Sequence, residues 1–295
     1  MTPTKLYTET TGRHDLPLKA LIISPHGDGA TTLLRNFPKI LPTQGPLQEL
    51  FEAYLRLEQD IGATEICKEA AVILEQAGVG TTVFTMDYPR GILDGGRTLE
   101  HCIRNVLPVT LSKELNPQFK KIHSTTIKRL QELYTTLNTN KGLLIDIHTM
   151  ASFNPCSSDG NPVTQHITPH NLTEYVEQYA GAPRTLENLR SFDIITSDDD
   201  GKYLADSQLE KSLTKRLEQM GETYAYNHPY AASKHFMMYP NLTNTHGLCI
   251  DIPKHLLSKH HENPLDFAIE DFETCPKRIQ RYGKIIADSL LSALS

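Results

Sequence analysis

The sequence predicts a three-layer α/β/α fold around a mixed, mostly parallel sheet. Two observations carry that prediction. Short apolar runs alternate with longer amphipathic stretches along the 295-residue chain, and alternation of strands and helices builds a parallel sheet with helices on both faces. Several runs are apolar at consecutive positions rather than every second one, which is how strands covered on both faces read.

The first strand is Leu18–Ser24 (LKALIIS). A helix over Leu47–Leu57 follows, with Leu47, Leu50, Phe51, Tyr54 and Leu57 on one stripe at helical spacing. Glu65–Gln76 is an alanine-rich helix with Gly78 as its stop. Thr81–Met86 (TTVFTM) reads as the next strand, Ser124–Leu137 as an amphipathic helix and Leu143–Ile147 (LLIDI) as a third strand. Ala151–Leu189 is polar and irregular, and is expected to form loops or an excursion capping one edge. Phe192–Thr196 is then a strand, Asp206–Met220 a helix ending at Gly221, and Thr223–Tyr226 and Gly247–Ile252 are further strands. Pro276 opens a last helix through Leu294, where a first-turn proline is well placed. With no repeat, low-complexity tract or linker, residues 1–295 are expected to form a single domain.

Composition excludes several function classes. With 39% apolar and 22% charged residues the chain can bury a sizeable core and is not a disordered polyelectrolyte. A net charge of -6 and the lack of a basic stripe argue against nucleic-acid binding. The five cysteines (Cys67, Cys102, Cys156, Cys249, Cys275) are scattered without CxxC spacing, a pattern that suits a reducing compartment. The opening MTPTKLYTETTGRHD has no signal-peptide core, and no apolar run approaches the ~20 residues of a membrane span. A cytoplasmic location without membrane contact is the expectation; delivery by machinery that reads no N-terminal signal stays open. Nothing in the sequence sets the oligomeric state.

In open α/β sheets, ligands bind beyond the carboxyl ends of the strands. The first strand runs into Ser-Pro-His-Gly-Asp-Gly (Ser24–Gly29), and the third into Asp-Ile-His-Thr-Met (Asp146–Met150). Imidazole is the commonest zinc ligand, and its second nitrogen needs a carboxylate or carbonyl. Asp146 points to the same side of an extended chain as His148 and suits that role. A lone strand-end histidine reads best as a polar cap; two at equivalent strand ends, His26 and His148, favour a metal. Asp28 would cap the turn made by its flanking glycines.

Arg90-Gly-Ile-Leu-Asp94-Gly-Gly-Arg97 carries two arginines suited to holding a substrate carboxylate. An internal Arg97–Asp94 salt bridge explains the spacing equally well. In His246-Gly-Leu-Cys-Ile-Asp251, an acid on a buried strand is either a general base or paired to a lysine such as Lys254. Asn227-His228-Pro229-Tyr230 is a shaped loop, in which Asn227 orients a ligand or forms the turn.

In this order the pieces resemble the N-formylglutamate amidohydrolase family, which is distantly similar to the zinc carboxypeptidases. The matching blocks are Ser24-Pro25-His26, Asp60 after a helix, Arg90/Asp94/Arg97 as Arg-x-x-x-Asp-x-x-Arg, and Asp146/His148/Met150 with Thr149 in place of a serine. Asn227/Pro229/Tyr230 match an Asn-x-Pro-Tyr loop, and His246 with Asp251 approximates His-x-x-x-x-Glu. The resemblance implies a zinc-exopeptidase-like (phosphorylase/hydrolase-like) fold and zinc-dependent hydrolysis of an N-acyl amino acid, a small substrate bearing a carboxylate. It implies His26 and His148 as metal ligands with a carboxylate as the third, for which Asp60 is the candidate. Asp60 has a second reading as a cap of the helix near Thr64–Glu65. The resemblance further implies Asp251 as general base, Arg97 and Arg90 on the substrate carboxylate, and Asn227 and His246 on the acyl group or oxyanion.

Three departures bear on substrate rather than metal. Asp251 stands for a glutamate, Gly95-Gly96 for Leu-Asn, and Ala231-Ala232 for Gly-Gly. The glutamate that carboxypeptidases place three residues after the first histidine is here Gly29. A metallo-carboxypeptidase or peptidoglycan amidase, and a ligand-binding relative without turnover, are the alternative readings.

Overall fold

The structure, a computed structural model, describes residues 6–13, 15–27, 30–40, 46–155, 167–259 and 263–295. Asp28, Gly29 and Cys156 lie outside the described residues. Its centre is a seven-stranded sheet in the order β1-β3-β2-β4-β7-β5-β6. The strands are β1 (Tyr7–Thr11), β2 (Leu18–Ser24), β3 (Gly80–Met86), β4 (Leu143–Met150), β5 (Phe192–Ile195), β6 (Tyr224–Tyr226) and β7 (Gly247–Pro253). The middle four, β3-β2-β4-β7, run parallel, whereas β1 lies antiparallel on β3 and β5 antiparallel on β7. The six predicted strands are all present. β1 was not anticipated: its residues are polar and alternate between half-buried and exposed, as befits an edge strand.

Because neighbouring strand residues point to opposite faces, each central strand feeds two cores. Ile22, Val83, Ile145 and Ile250 pack under α3 (Ala63–Gln76), α6 (Ser207–Gln219) and α8 (Pro276–Leu294). Leu21, Ile23, Phe84 and Leu144 face the opposite way, toward α2 (Pro46–Glu58), α4 (Val109–Thr139) and α5 (Leu172–Ala180). This double coverage explains the consecutive apolar positions, and β3 and β4 are buried along their whole lengths. Two shorter helices, α1 (Ala30–Asn36) and α7 (Met238–Asn244), complete the described helices longer than a 3-10 turn.

Two helices differ from expectation. α4 starts at Val109 rather than Ser124 and contains Pro117, which removes one backbone donor; the buried Leu115, Phe119 and Ile122 hold this half against the sheet. The stretch expected to be irregular contains α5, whose Leu172 and Tyr175 are buried against the α2 side. No described helix is long and apolar enough to cross a membrane.

Candidate metal centre

β2 and β4 lie side by side and parallel, so their carboxyl ends share one edge of the sheet. His26 follows the end of β2, and His148 lies within β4, which continues to Met150. The link between α2 and α3 brings Asp60 to the same edge. That link turns at Gly62, whose φ of 96° is in the left-handed region that glycine adopts without strain. Asp60 Oδ2 stands 2.9 Å from His26 Nδ1 and 3.4 Å from His148 Nδ1, and accepts a hydrogen bond from the Thr149 amide at 3.2 Å. The helix-cap reading of Asp60 is not realised: α3 begins at Ala63 with Gly62 as its N-cap and no side-chain cap. His26, Asp60 and His148 are buried, and one ligand atom from each lies within 4.8 Å of the others.

The far side of each ring meets another acid. His26 Nε2 is 2.9 Å from Asp94 Oδ1, and His148 Nε2 is 3.3 Å from Asp146 Oδ1. Asp146 is itself held: its Oδ2 accepts from Asn241 Nδ2 at 2.7 Å, and the Tyr134 hydroxyl donates to Asn241 Oδ1. Metal-binding histidines characteristically direct their second nitrogen at such a carboxylate, which fixes the tautomer and strengthens the ligand. Two imidazoles and one carboxylate are also the protein ligands of many catalytic zinc sites. The residues therefore fit a divalent cation.

The electrostatics point the same way. Burial opposes charge on His148, yet Asp146 and Asp60 raise its pKa well above the ordinary imidazole value. Surroundings that draw a proton this strongly also draw a metal cation. Burial likewise opposes ionisation of Asp60, but His26, His148 and Arg90 hold it well below the usual carboxylate range.

Around the cluster, buried acids are matched by partly buried arginines. Arg90 Nη1 is 3.2 Å from Asp60, and its Nε is 3.6 Å from Glu58. Arg97 Nε donates to Asp94 Oδ2 at 2.9 Å, and its guanidinium lies over Phe236. Arg104 reaches Glu58 at 3.4 Å and Asp94 at 3.9 Å. The internal Arg97–Asp94 bridge considered from spacing is thus present, and Arg90 and Arg97 both face acids of the protein itself. The two glycines beside Asp94 have a steric reason. A Cβ on Gly95 would stand 2.3 Å from the Pro25 carbonyl oxygen, and one on Gly96 2.7 Å from His26 Nε2.

Asp251 pairs with His148 across β7 and β4, which puts it at the same sheet edge. It lines a small pocket with His26, His148, Arg90 and Tyr230. Its Oδ1 has no hydrogen-bond partner among the described residues, and burial, with Asp60 nearby, pushes its pKa up to about 6. Lys254 is buried and donates to the Leu57 carbonyl at 2.9 Å rather than pairing with Asp251; burial lowers its pKa to about 8.

Two expectations are corrected. His246 precedes the first residue of β7, at the opposite end of that parallel strand from Asp251, and its side chain is 76% exposed. It faces Asp206 at 3.7 Å and is remote from the sheet edge that carries His26 and His148. Asn227 adopts a left-handed φ of 52°, accepts from the Thr196 and Ser197 amides with its Oδ1 and donates to the Thr196 hydroxyl. Its amide is therefore spent on the turn. Tyr230, three residues on, is what this loop delivers to the pocket.

The pocket shares Arg90, Tyr230 and Phe236 with a cleft of about 720 Å³. That cleft is also lined by Arg104, Tyr175, Tyr179, Arg190 and Lys254. Sequence reasoning missed Asp94 as the partner of His26, and it missed Glu58, Arg104 and Arg190 altogether. Only Asp94 carried a usable signal, its place between two arginines.

No family model matches the sequence, and no curated protein matches it. Solved structures do. The crystal structure of N-formylglutamate amidohydrolase from Ralstonia eutropha aligns with 99% of this chain and 96% of its own, at 14% identity and a TM-score of 0.57. A gene product from Agrobacterium tumefaciens aligns with 98% of this chain and 96% of its own, at 11% identity and a TM-score of 0.56. The chain has the α/β fold of these proteins. At such identities the likeness defines architecture, while chemistry must be argued from the site.

Proposed function

We propose that this protein is a metal-dependent hydrolase that cleaves the amide bond of a small N-acyl amino acid. One observation carries the reading: the buried His26–Asp60–His148 cluster, with each imidazole backed by its own carboxylate. The fold shared with an N-formylglutamate amidohydrolase and the ordered motifs support the reaction class.

His26 Nδ1, His148 Nδ1 and one Asp60 oxygen would hold the ion. Zinc suits this donor set, and other divalent ions are compatible with it. When bound, such an ion supplies Lewis acidity, polarising a carbonyl and acidifying water. Asp251, with one free oxygen facing the same pocket, takes a proton from the attacking water and delivers it to the departing amine nitrogen. Asp94 and Asp146 would flank the two rings on the side away from the ion, at 2.9 Å and 3.3 Å from the Nε2 atoms. Arg90, Arg97 and Arg104 neutralise the acids packed beside them.

The test is hydrolysis of a panel of N-formyl and N-acetyl amino acids, with short peptides as a second arm, by protein purified without chelator. Release of the free amine from the acyl amino acids, abolished in Asp251→Asn while metal stays bound, is the expected result. Cleavage of the peptides alone would favour a carboxypeptidase. Absence of any hydrolysis would favour a ligand-binding protein.

A further inference from the structure

Arg190 stands apart from the other arginines of the cleft. The carboxylates of Glu58, Asp60 and Asp94 face Arg90, Arg97 and Arg104, so that group is internally balanced. Arg190 is only 9% exposed, and no described carboxylate forms an ion pair with it. Asp193 and Asp251 feel its charge, but Asp193 accepts from the His228 and Tyr230 amides instead. A guanidinium this buried without a counter-ion is costly unless something else supplies the anion.

Its placement is over-determined. The Arg190 amide donates to the Ser152 carbonyl at 2.9 Å, and the neighbouring Leu189 bridges Phe153. Its Nε donates to Asn154 Oδ1 at 2.9 Å, and its guanidinium lies 5.8 Å from the centre of the Tyr230 ring. Tyr230 also lines the pocket over the metal cluster. Nε is committed to Asn154, no hydrogen bond of the two terminal amino groups appears among the described residues, and Arg190 lines the cleft. A guanidinium fork matches a carboxylate through two parallel hydrogen bonds.

We propose that Arg190 anchors the carboxylate of the substrate, the role that the family resemblance implied for Arg97 and Arg90. The choice of an acidic ligand rests on the amidohydrolase reading above. An arginine with no ion-pair partner among the described residues suits a monoanionic group.

The experiment is calorimetric titration of the metal-loaded protein with glutarate, which has no amide to cleave, with pentanediol as uncharged control and inorganic phosphate as competing anion. Arg190→Gln should weaken glutarate binding on the order of 100-fold, as expected when one partner of a buried charge pair is removed. Arg190→Lys, which keeps the charge and loses the fork, should fall between, with a raised KM and little change in kcat for any hydrolysed acyl amino acid. Metal content should be unchanged in both. Equal glutarate affinity in Arg190→Gln, or wild-type binding no tighter for glutarate than for pentanediol, would overturn the proposal. Tighter Arg190-dependent binding of phosphate would overturn the carboxylate assignment. Should Arg190→Gln not fold, wild-type affinity in Arg190→Lys overturns it alone. Arg190-dependent glutarate binding without hydrolysis of any acyl amino acid would uphold this inference and defeat the proposed function.

Discussion

His26 and His148 turn their Nδ1 atoms to the same oxygen of Asp60 and their Nε2 atoms to two different carboxylates, Asp94 and Asp146. Each ring thus stands between two carboxylates, although one histidine follows a strand and the other lies inside one; His26 Nε2 is hydrogen-bonded, whereas His148 Nε2 has no hydrogen-bond partner among the described residues. Asp146 can be tested with less collateral damage than Asp94, which also faces Arg97 and Arg104. Asp146→Asn is expected to lower metal affinity by about 10- to 100-fold, the usual cost of losing such a partner, as read by competition with a chelator. Unchanged affinity would mean that Asp146 does not orient His148.

Gly96 backs directly onto the His26 ring. A Cβ there would sit 2.7 Å from Nε2 and 2.8 Å from Cε1, so the ring must move or the loop must shift. Gly96→Ala should cost about 1–3 kcal/mol by overpacking and weaken metal binding in parallel. Denaturant unfolding of the metal-loaded and metal-free protein separates the two effects. A variant as stable and as metal-avid as wild type would refute the close approach.

The general base acts only when ionised. Since the Asp251 pKa is pushed up to about 6, kcat/KM should rise with pH below that value and level off above it. Asp251→Asn should cut kcat by about 10²- to 10⁴-fold while the metal remains bound. A rate that is flat from pH 5 to 7 in a protein still holding its metal removes Asp251 from that role.

Lys254 gives a stability prediction with a defined sign. Burial lowers its pKa from 10.5 to about 8. Below pH 8 both folded and unfolded chains hold the proton, and the folded state bears the full cost of the buried ammonium. Between pH 8 and 10.5 only the unfolded chain stays protonated, so stability rises with pH from this group. Lys254→Met should therefore be more stable than wild type near neutrality, by on the order of 1–3 kcal/mol, with the gap closing toward pH 10.5. A pH-independent gap would show that Lys254 titrates normally.

The corrected positions supply controls. His246→Ala should leave hydrolysis and metal content at wild-type levels, since the side chain is exposed at the opposite end of β7. Asn227→Ala should cost stability, about 1–3 kcal/mol for stranding the Thr196 and Ser197 amides, measured as a shift in the unfolding midpoint. A larger effect of His246→Ala than of Asn227→Ala on the rate would reverse this assignment.

What was legible in the sequence follows from burial on two faces. β2, β3, β4 and β7 announce themselves because they carry apolar residues at consecutive positions, whereas β1, an edge strand of alternating half-buried and exposed polar residues, does not. His26 and His148 were readable because apolar strands run directly into them, whereas Asp60 was a candidate only through the family resemblance. His246 failed for a directional reason: a residue before a parallel strand lies at the opposite edge from one near its end, about 16 Å away at strand rise. Arg190 carries no motif. Its significance lies in the lack of an ion-pair partner among the described residues, which only three-dimensional packing reveals.

The most direct test of the account is the metal content of protein purified without chelator, measured by elemental analysis beside His26→Ala, His148→Ala and Asp60→Ala. The account predicts close to one divalent ion per wild-type chain and a loss of nearly all of it in each variant, with secondary structure retained. A folded wild-type protein without stoichiometric metal, or variants that keep it, would contradict the assignment of His26, Asp60 and His148 as its ligands.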